Sequence, residues 1–499
     1  MGNNITYNKL IRDLENRDSS YWMRVREKEV LDLFNRASKN VPAYKKFLKD
    51  NEINSELIRS WSDFQKVPFV NKENYLKKYR YNELYWNGSL KSPFVYTATS
   101  GSTGEPFYFA RNEDLDYKHS IITEEILRLD YSDDKTPILF VDAFGMGIWI
   151  GGLINYKAME LVAKRENLPI SIVTPGINKN EIINIFRYVA PNYKQIIIAG
   201  YPPFIKDILD ELEGAKINLG KYNMRIIFAA ENITEPFRDY VAKKAKVKNI
   251  YKDIVNIYGS AELGAMAKES LLSTLVRRAT NGNKQTSEQI YSQSMKTPTV
   301  AQFIPYFTNF EEVDGKVLVT GDSALPLIRY DIGDNGGVIS YDEMEIRLAR
   351  QKIRLDEEIK KVGLSKFNYK LPFVYIYERS DFCIKLHLHD IYPEIIRDAL
   401  FSSKVNGDLT GKFTMTTKYN TQHIQYLELN LELKKGKVEN KRLSEVVQVE
   451  VLHALKKKAS GPGNINELVK KPGLVEVFFW AYEDPTYFKP GTKQKWITR

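Results

Sequence analysis

The chain has 499 residues, 73 of them Lys or Arg and 63 Asp or Glu, for a formal charge of +10, and a single cysteine. That length exceeds one ordinary domain and predicts two or three compact units. One Cys383 excludes an internal disulfide framework and a cysteine-rich zinc cluster, and fits a reducing compartment such as the cytoplasm. Basic residues are interleaved with acidic ones, and the densest runs, 243–248 and 456–458, fall on predicted helices as solvated faces. The charge therefore suits small anions such as nucleotides, with no nucleic acid as partner.

Residues 1–13 lack the apolar core of a secretory leader, although Gly2 and Thr6 match a short acylation pattern. Helical periodicity runs from Tyr21 to about Leu48, and residues 67–79 read as a turn leading into an amphipathic helix. Short apolar runs at 138–141, 170–173, 196–199, 226–229 and 254–258 then alternate with helical stretches, the rhythm of an α/β domain with buried strands. Residues 137–154 are the most membrane-like, but Asp142 and the glycines at 145, 147, 151 and 152 predict a buried strand, a turn and a helix start, with no membrane span. The polar stretch 273–299 is expected as a surface excursion, 316–320 as a strand and 325–335 as a loop. Beyond Glu378, strand-like 426–433, helical 443–458 and strand-like 474–481 predict a small α+β domain joined near Ser380.

Thr99, Ser100, Gly101, Ser102, Thr103 and Gly104, followed by Glu105 and Pro106, form the strongest local signal. Glycines let several N–H groups converge on an anion, and the hydroxyls add donors; without a Gly-Lys-Ser/Thr ending the loop is not a P-loop, and on its own it also fits a polar turn. Tyr258, Gly259, Ser260, Ala261 and Glu262 follow an apolar run: the aromatic can stack on a purine and the carboxylate can hold Mg²⁺, or the pair is a buried tyrosine and a helix-opening acid. Asp334, in a glycine-flanked turn, can accept from ribose hydroxyls or from its own backbone. His387 and His389 have no accompanying Asp/Cys set and make no metal site.

Together these segments resemble the adenylate-forming superfamily, in particular its phenylacetate–CoA ligase branch. Residues 142–153, Gly200 to Pro203, Ala229–Ala230–Glu231, and Val67–Pro68–Phe69 with Lys72–Glu73 are similar to further elements of that branch. The resemblance implies a large multi-layer α/β adenylation domain over 1–379 and a small mobile α+β domain over 380–499, hinged at 378–381 around Asp381. It implies binding of ATP by Thr99 to Gly104, Ala230, Glu231, Tyr258, Gly259, Ser260, Asp334 and Arg379, and of Mg²⁺ by Glu262. It further implies catalytic roles for Lys493, Glu262 and Arg379, and a carboxylate pocket walled by Phe144, Trp149, Tyr201 and Phe204, aromatics that core packing also explains. The implied activity is activation of an aryl or other apolar acid to an acyl-adenylate with release of pyrophosphate, then transfer to a thiol, CoA first, by a monomer or homodimer. Ala261, Glu378 and Leu388 depart from the pattern, Leu388 where a glycine lines the thiol passage, so a carrier-protein thiol, an amine acceptor and a nucleotide-binding relic stay open.

Overall fold

The computed structural model describes residues 5–92, 94–99, 106–128, 136–281, 283–291, 298–377, 383–387, 389–459, 465–489 and 494–498. Helices α1 (Tyr7–Asn16), α2 (Ser19–Asn40) and α3 (Pro42–Asp50) open the chain. Thr6 caps α1 and Asp18 caps α2 through their side chains. The continuous helical pattern breaks at Val41, because Pro42 cannot donate to the preceding turn and starts α3 as its first residue. The helix expected within 67–79 is a five-residue turn, Lys72–Leu76, capped by Asn71.

A hairpin of β1 (Val95–Ala98) and β2 (Tyr108–Arg111) precedes the central sheet. Five parallel strands form one half of that sheet, in the order β4 (Ile170–Val173), β3 (Ile138–Ala143), β5 (Gln195–Gly200), β6 (Asn223–Ala229), β7 (Ile254–Ser260). Side chains alternate between two cores: Leu139, Val141, Ile196 and Ile198 enter one, and Ile138, Phe140, Ile197 and Ala199 the other. Burial on both faces is what makes such strands continuous apolar runs. The antiparallel half continues through β8 (Gly264–Lys268), β9 (Thr299–Gln302), β13 (Phe373–Tyr377), β12 (Leu327–Ile339), β11 (Lys316–Gly321) and β10 (Thr308–Val313).

Two expectations are corrected. Within the stretch 273–299, residues 273–280 are not a surface excursion. The stretch contributes most of a buried helix, Leu271–Thr280, then the helix Lys284–Tyr291 and the start of β9. Its polar residues mislead because they are paired inside: Arg277 donates to Glu269 and to the Ile233 carbonyl, while Arg238 donates to Glu235 (3.2 Å), Glu269 (2.7 Å) and the Ile254 carbonyl (3.1 Å). Residues 325–335 are likewise not a loop, since β12 takes them into the sheet from Leu327 onward.

At the carboxyl end a short hairpin of β14 (Ile384–Leu386) and β15 (His389–Ile391) precedes β16 (Leu409–Tyr419), which pairs antiparallel with β17 (Gln425–Leu433); β17 pairs parallel with β18 (Val475–Trp480). A separate core of Leu427, Leu429, Leu431, Val447, Val451 and Leu455 lies under this sheet and the helix Lys441–Lys458. Residues 494–498 run along β16, with Met415 N–H donating to the Trp496 carbonyl (2.8 Å) and Thr498 N–H to the Met415 carbonyl (3.1 Å). Among the described residues no helix is long and apolar enough to cross a membrane.

Arg238 is fully buried between two carboxylates, and removing one partner of a buried pair costs about 3–5 kcal/mol. Arg238→Met is therefore expected to move the unfolding transition of the large domain to clearly lower urea. Lys77→Ala, which breaks only an exposed pair with Glu73, should leave it nearly unchanged.

Candidate active site

The carboxyl ends of β3, β5, β6 and β7 share one rim, and each leads into a segment singled out in the sequence: Asp142 to Gly145, Gly200–Tyr201, Ala229 to Glu231, and Tyr258 to Glu262. Parallel sheets bind ligands at that edge, where the strands' backbone groups are no longer committed to the ladder.

The β1–β2 hairpin brings Thr99, the first residue of the Ser/Thr/Gly segment, to the same rim. Thr99 N–H donates to the Phe107 carbonyl (3.1 Å) and Phe107 N–H to Thr99 Oγ1 (3.1 Å), closing the loop at its base. Ser100, Gly101, Ser102, Thr103 and Gly104 lie outside the described residues. Ala98 N–H donates to the Ile148 carbonyl (3.0 Å), and Thr97 Oγ1 to the Ala261 carbonyl (3.3 Å). These two bonds tie the hairpin to the glycine-rich turn after β3 and to the turn after β7.

Tyr258 hydroxyl donates to Asp334 Oδ2 at 2.6 Å, and its ring lies 6.0 Å from that of Phe310. Burial, then the Asp334 carboxylate, push the phenol well above its ordinary pKa, so it stays a donor. Asp334 reaches this position from within β12, not from the turn expected for it. A Cβ at Gly259 would sit 2.7 Å from the Gly264 carbonyl oxygen, so the tight return from β7 to β8 requires glycine there. Ser260 Oγ accepts from Leu263 N–H (3.3 Å) within that return.

Glu262 is 6% exposed; Tyr330 hydroxyl donates to its Oε1 at 3.4 Å, and Lys72 Nζ stands 4.0 Å from the same oxygen. The path that delivers Lys72 begins at Arg329, whose φ of +48° turns its guanidinium onto the Gln65 carbonyl (2.7 Å) and the Val67 carbonyl. Val70 N–H then donates to the Arg329 carbonyl (3.0 Å) and Asp331 N–H to the Val70 carbonyl (2.8 Å), pinning the segment one residue before the Asn71 cap. Lys72 appeared in the sequence only as part of a motif, and its nearness to Glu262, 190 positions on, needs the fold. Glu262 is the buried carboxylate that could hold Mg²⁺, a cation that binds through one or two carboxylates and keeps several waters.

Ala230 has φ of +75°, a left-handed conformation that costs a non-glycine residue about 1–2 kcal/mol, and strain of this kind collects at functional loops. Asn256 Nδ2 donates to the Glu231 carbonyl (3.1 Å), and Trp496 Nε1 to Glu231 Oε1. Of the proposed pocket walls, Phe144 and Trp149 come together on the glycine turn: a Cβ at Gly151 would meet the Phe144 ring at 3.1 Å, and one at Gly145 the Trp149 ring at 3.0 Å. Trp149 is 44% exposed. Tyr201 caps the helix Pro202–Gly214 and faces Glu231; burial, then that carboxylate, raise its pKa. Phe204 packs instead in the core on the sheet face opposite Phe144. Arg379, Asp381 and Lys493, like Glu378 and Leu388, lie outside the described residues.

No family model matches the sequence, and no curated protein matches it by sequence. Solved structures do match over nearly its whole length. The chain is similar to 2-hydroxyisobutyryl-CoA ligase in the postadenylation state in complex with R3-HIB-AMP, at 13% identity and a TM-score of 0.65, covering 98% of this chain and 91% of that one. The same ligase in complex with 2-HIB-AMP and CoA in the thioesterification state matches at 14% identity and 0.53, covering 98% and 91%. Its open conformation in complex with 2-HIB-AMP and CoA matches at 13% and 0.52, covering 98% and 94%. The fold is that of the adenylate-forming ligases, with a large α/β domain and a small carboxyl-terminal domain.

Asp142, at the end of β3, is fully buried and accepts from Phe144 N–H at 3.2 Å; burial pushes its carboxyl up to about 8. A folded-state pKa above the unfolded one means the folded chain holds the extra proton, so the stabilisation is complete below pH 4 and is lost as pH rises through 8. Asp142→Asn keeps the acceptor without the charge. Thermal midpoints measured from pH 5 to 9 should fall with pH in the parent and fall less steeply in the variant.

Proposed function

We propose that the protein is an AMP-forming carboxylate ligase that activates an acid with ATP and passes the acyl group to a thiol, CoA first. The observation that supports this most strongly is convergence. Thr99 at the base of the hairpin, Tyr258 and Glu262 at the end of β7, Asp334 on β12 and Lys72 beside Glu262 meet at one rim, although the sequence spreads them from 72 to 334. The ligase it resembles in fold carries an acyl-AMP and CoA.

In the first step a carboxylate oxygen of the acid bonds to the α-phosphorus of ATP, and the bond to the bridging oxygen of pyrophosphate breaks. Such chemistry depends on positioning and on neutralising charge. Thr99 to Gly104 would grip the phosphates with backbone N–H groups and hydroxyls, and Lys72 would add a cation beside them. Tyr258, Gly259, Ser260, Ala230 and Glu231 would frame the purine, while Asp334 and Arg379 would hold the ribose. Mg²⁺ bound by Glu262 would neutralise the departing pyrophosphate. Lys493 would bridge acyl and phosphate oxygens, entering on the small domain, 380–499, which pivots at Asp381 against 1–379 to admit the thiol. Phe144, Trp149 and Tyr201 favour an aryl or other apolar acid, as expected for the phenylacetate–CoA ligase branch.

A panel of carboxylic acids in ATP–pyrophosphate exchange tests this reading. Exchange with at least one apolar acid, and its CoA thioester by mass spectrometry once CoA is added, is the expected result; ATP binding without exchange for any acid would overturn it. Exchange with no thioester would leave adenylation standing and replace CoA with another acceptor. Lys493→Ala should slow exchange about 10²-fold or more, the scale of losing one stabilising donor. Asp334→Ala removes a charged acceptor worth about 1.5–3 kcal/mol and should raise the KM for ATP about 10–150-fold.

A further inference from the structure

We propose that Trp496 and Arg397 form a docking latch on the purine-side loop, and that Trp496 is thereby a positioning residue for the first half-reaction. The inference rests on the function proposed above. It concerns a contact that neither the motifs nor the general chemistry of acid activation requires.

Trp496 is 2% exposed and is held rigidly on its own side. Its ring packs against Phe413 at 4.8 Å and under the Arg397 guanidinium at 4.6 Å. Its carbonyl accepts from Met415 N–H (2.8 Å), and Gln494 Nε2 donates to the Phe413 carbonyl (3.0 Å), so the tail on both sides of the ring is fixed to β16. The indole N–H then crosses the seam to donate to Glu231 Oε1. Arg397 accompanies it, with Nη2 3.5 Å from the same oxygen and Nη1 donating to the Asn232 carbonyl at 3.1 Å. The large domain holds the loop from behind through Asn256.

The contact is dry. The crevice lined by Pro202, Pro203, Glu231, Arg397, Lys412 and Trp496 encloses about 20 Å³, room for one water and no ligand. A charge-assisted bond in such a setting is short and directional. Lys493 precedes Trp496 by three residues, a reach of about 10 Å of chain at full extension. Fixing the indole against Glu231 thus limits where Lys493 can stand during attack on ATP. The same latch must open before the small domain moves to admit the thiol, so the second half-reaction has no use for it.

Trp496→Phe keeps a ring for Phe413 and Arg397 but removes the N–H. ATP–pyrophosphate exchange should slow about 10–100-fold, the range for a displaced reacting group, with the KM for ATP little changed. Conversion of preformed acyl-adenylate and CoA to thioester should stay within about twofold of the parent, since the latch is open in that step. Equal loss in both half-reactions, or no loss in either, overturns the proposal. Hydrogen exchange without substrates separates this from the function itself. Residues 229–234 should exchange faster in Trp496→Phe while β17 keeps its protection, whatever reaction the enzyme performs; unchanged exchange there also overturns the latch.

Discussion

Burial of the parallel sheet on both faces is the constraint from which the site follows. Leu139 and Val141 look into one core and Ile138 and Phe140 into the other, so no side chain of β3 meets solvent. Polar chemistry is left to the strand ends. In-register pairing of β3 with β5, β5 with β6 and β6 with β7 brings those ends level. Tyr201, Glu231 and Tyr258 reach the rim from strand ends that the ladder aligns, although the sequence spreads them over 58 positions.

Aligned ends give a rim but not a site, and buried polar contacts complete it. Arg329 accepts a left-handed backbone and in return binds the Gln65 and Val67 carbonyls, with Glu311 beside it at 3.3 Å. That anchorage carries Lys72 to Glu262. On the other side of the rim, Glu269 holds Arg238 and Arg277, and Arg277 reaches the Ile233 carbonyl two residues beyond Glu231. Removing a charge from either assembly would strand its partners in a low-dielectric interior. The loops at the rim are therefore anchored by charges sited away from the rim itself.

The same physics explains what could be read from the sequence. The five parallel strands were legible because two-sided burial demands apolar runs, and the motifs at their ends were legible because they sit beside those runs. Helix Leu271–Thr280 was not, since Arg277, Ser273 and Thr274 look solvated until Glu269 and the surrounding core are in place. Residues 325–335 resembled a loop because Asp334 is flanked by glycines, Gly333 before it and Gly336 and Gly337 just beyond, but a Cβ at 336 would lie 1.9 Å from the Tyr375 carbonyl oxygen and one at 337 would lie 2.4 Å from the Tyr375 hydroxyl. Those glycines admit a neighbouring strand; they do not end one. The Lys72–Glu262 and Trp496–Glu231 contacts, 190 and 265 positions apart, left no local trace at all.

The seam beneath the small domain differs in kind from the two cores it joins. Lys412, from β16, meets Asp207 at 2.5 Å and Glu432 at 3.3 Å; Lys179 meets Glu483 at 2.6 Å; and Lys434 lies 3.5 Å from Asp210. Burial alone would lower the Lys412 pKa, but the Asp207 and Glu432 carboxylates outweigh it and hold the ammonium charged. Phe401, against Phe237 at 5.2 Å and Tyr240 at 5.5 Å, adds ring–ring contacts among these. Ion pairs and hydrogen bonds recover most of their energy in water when they part, whereas an apolar seam of the same size would not. An interface built this way can be specific in register and still reversible, which is what the movement proposed for the small domain requires.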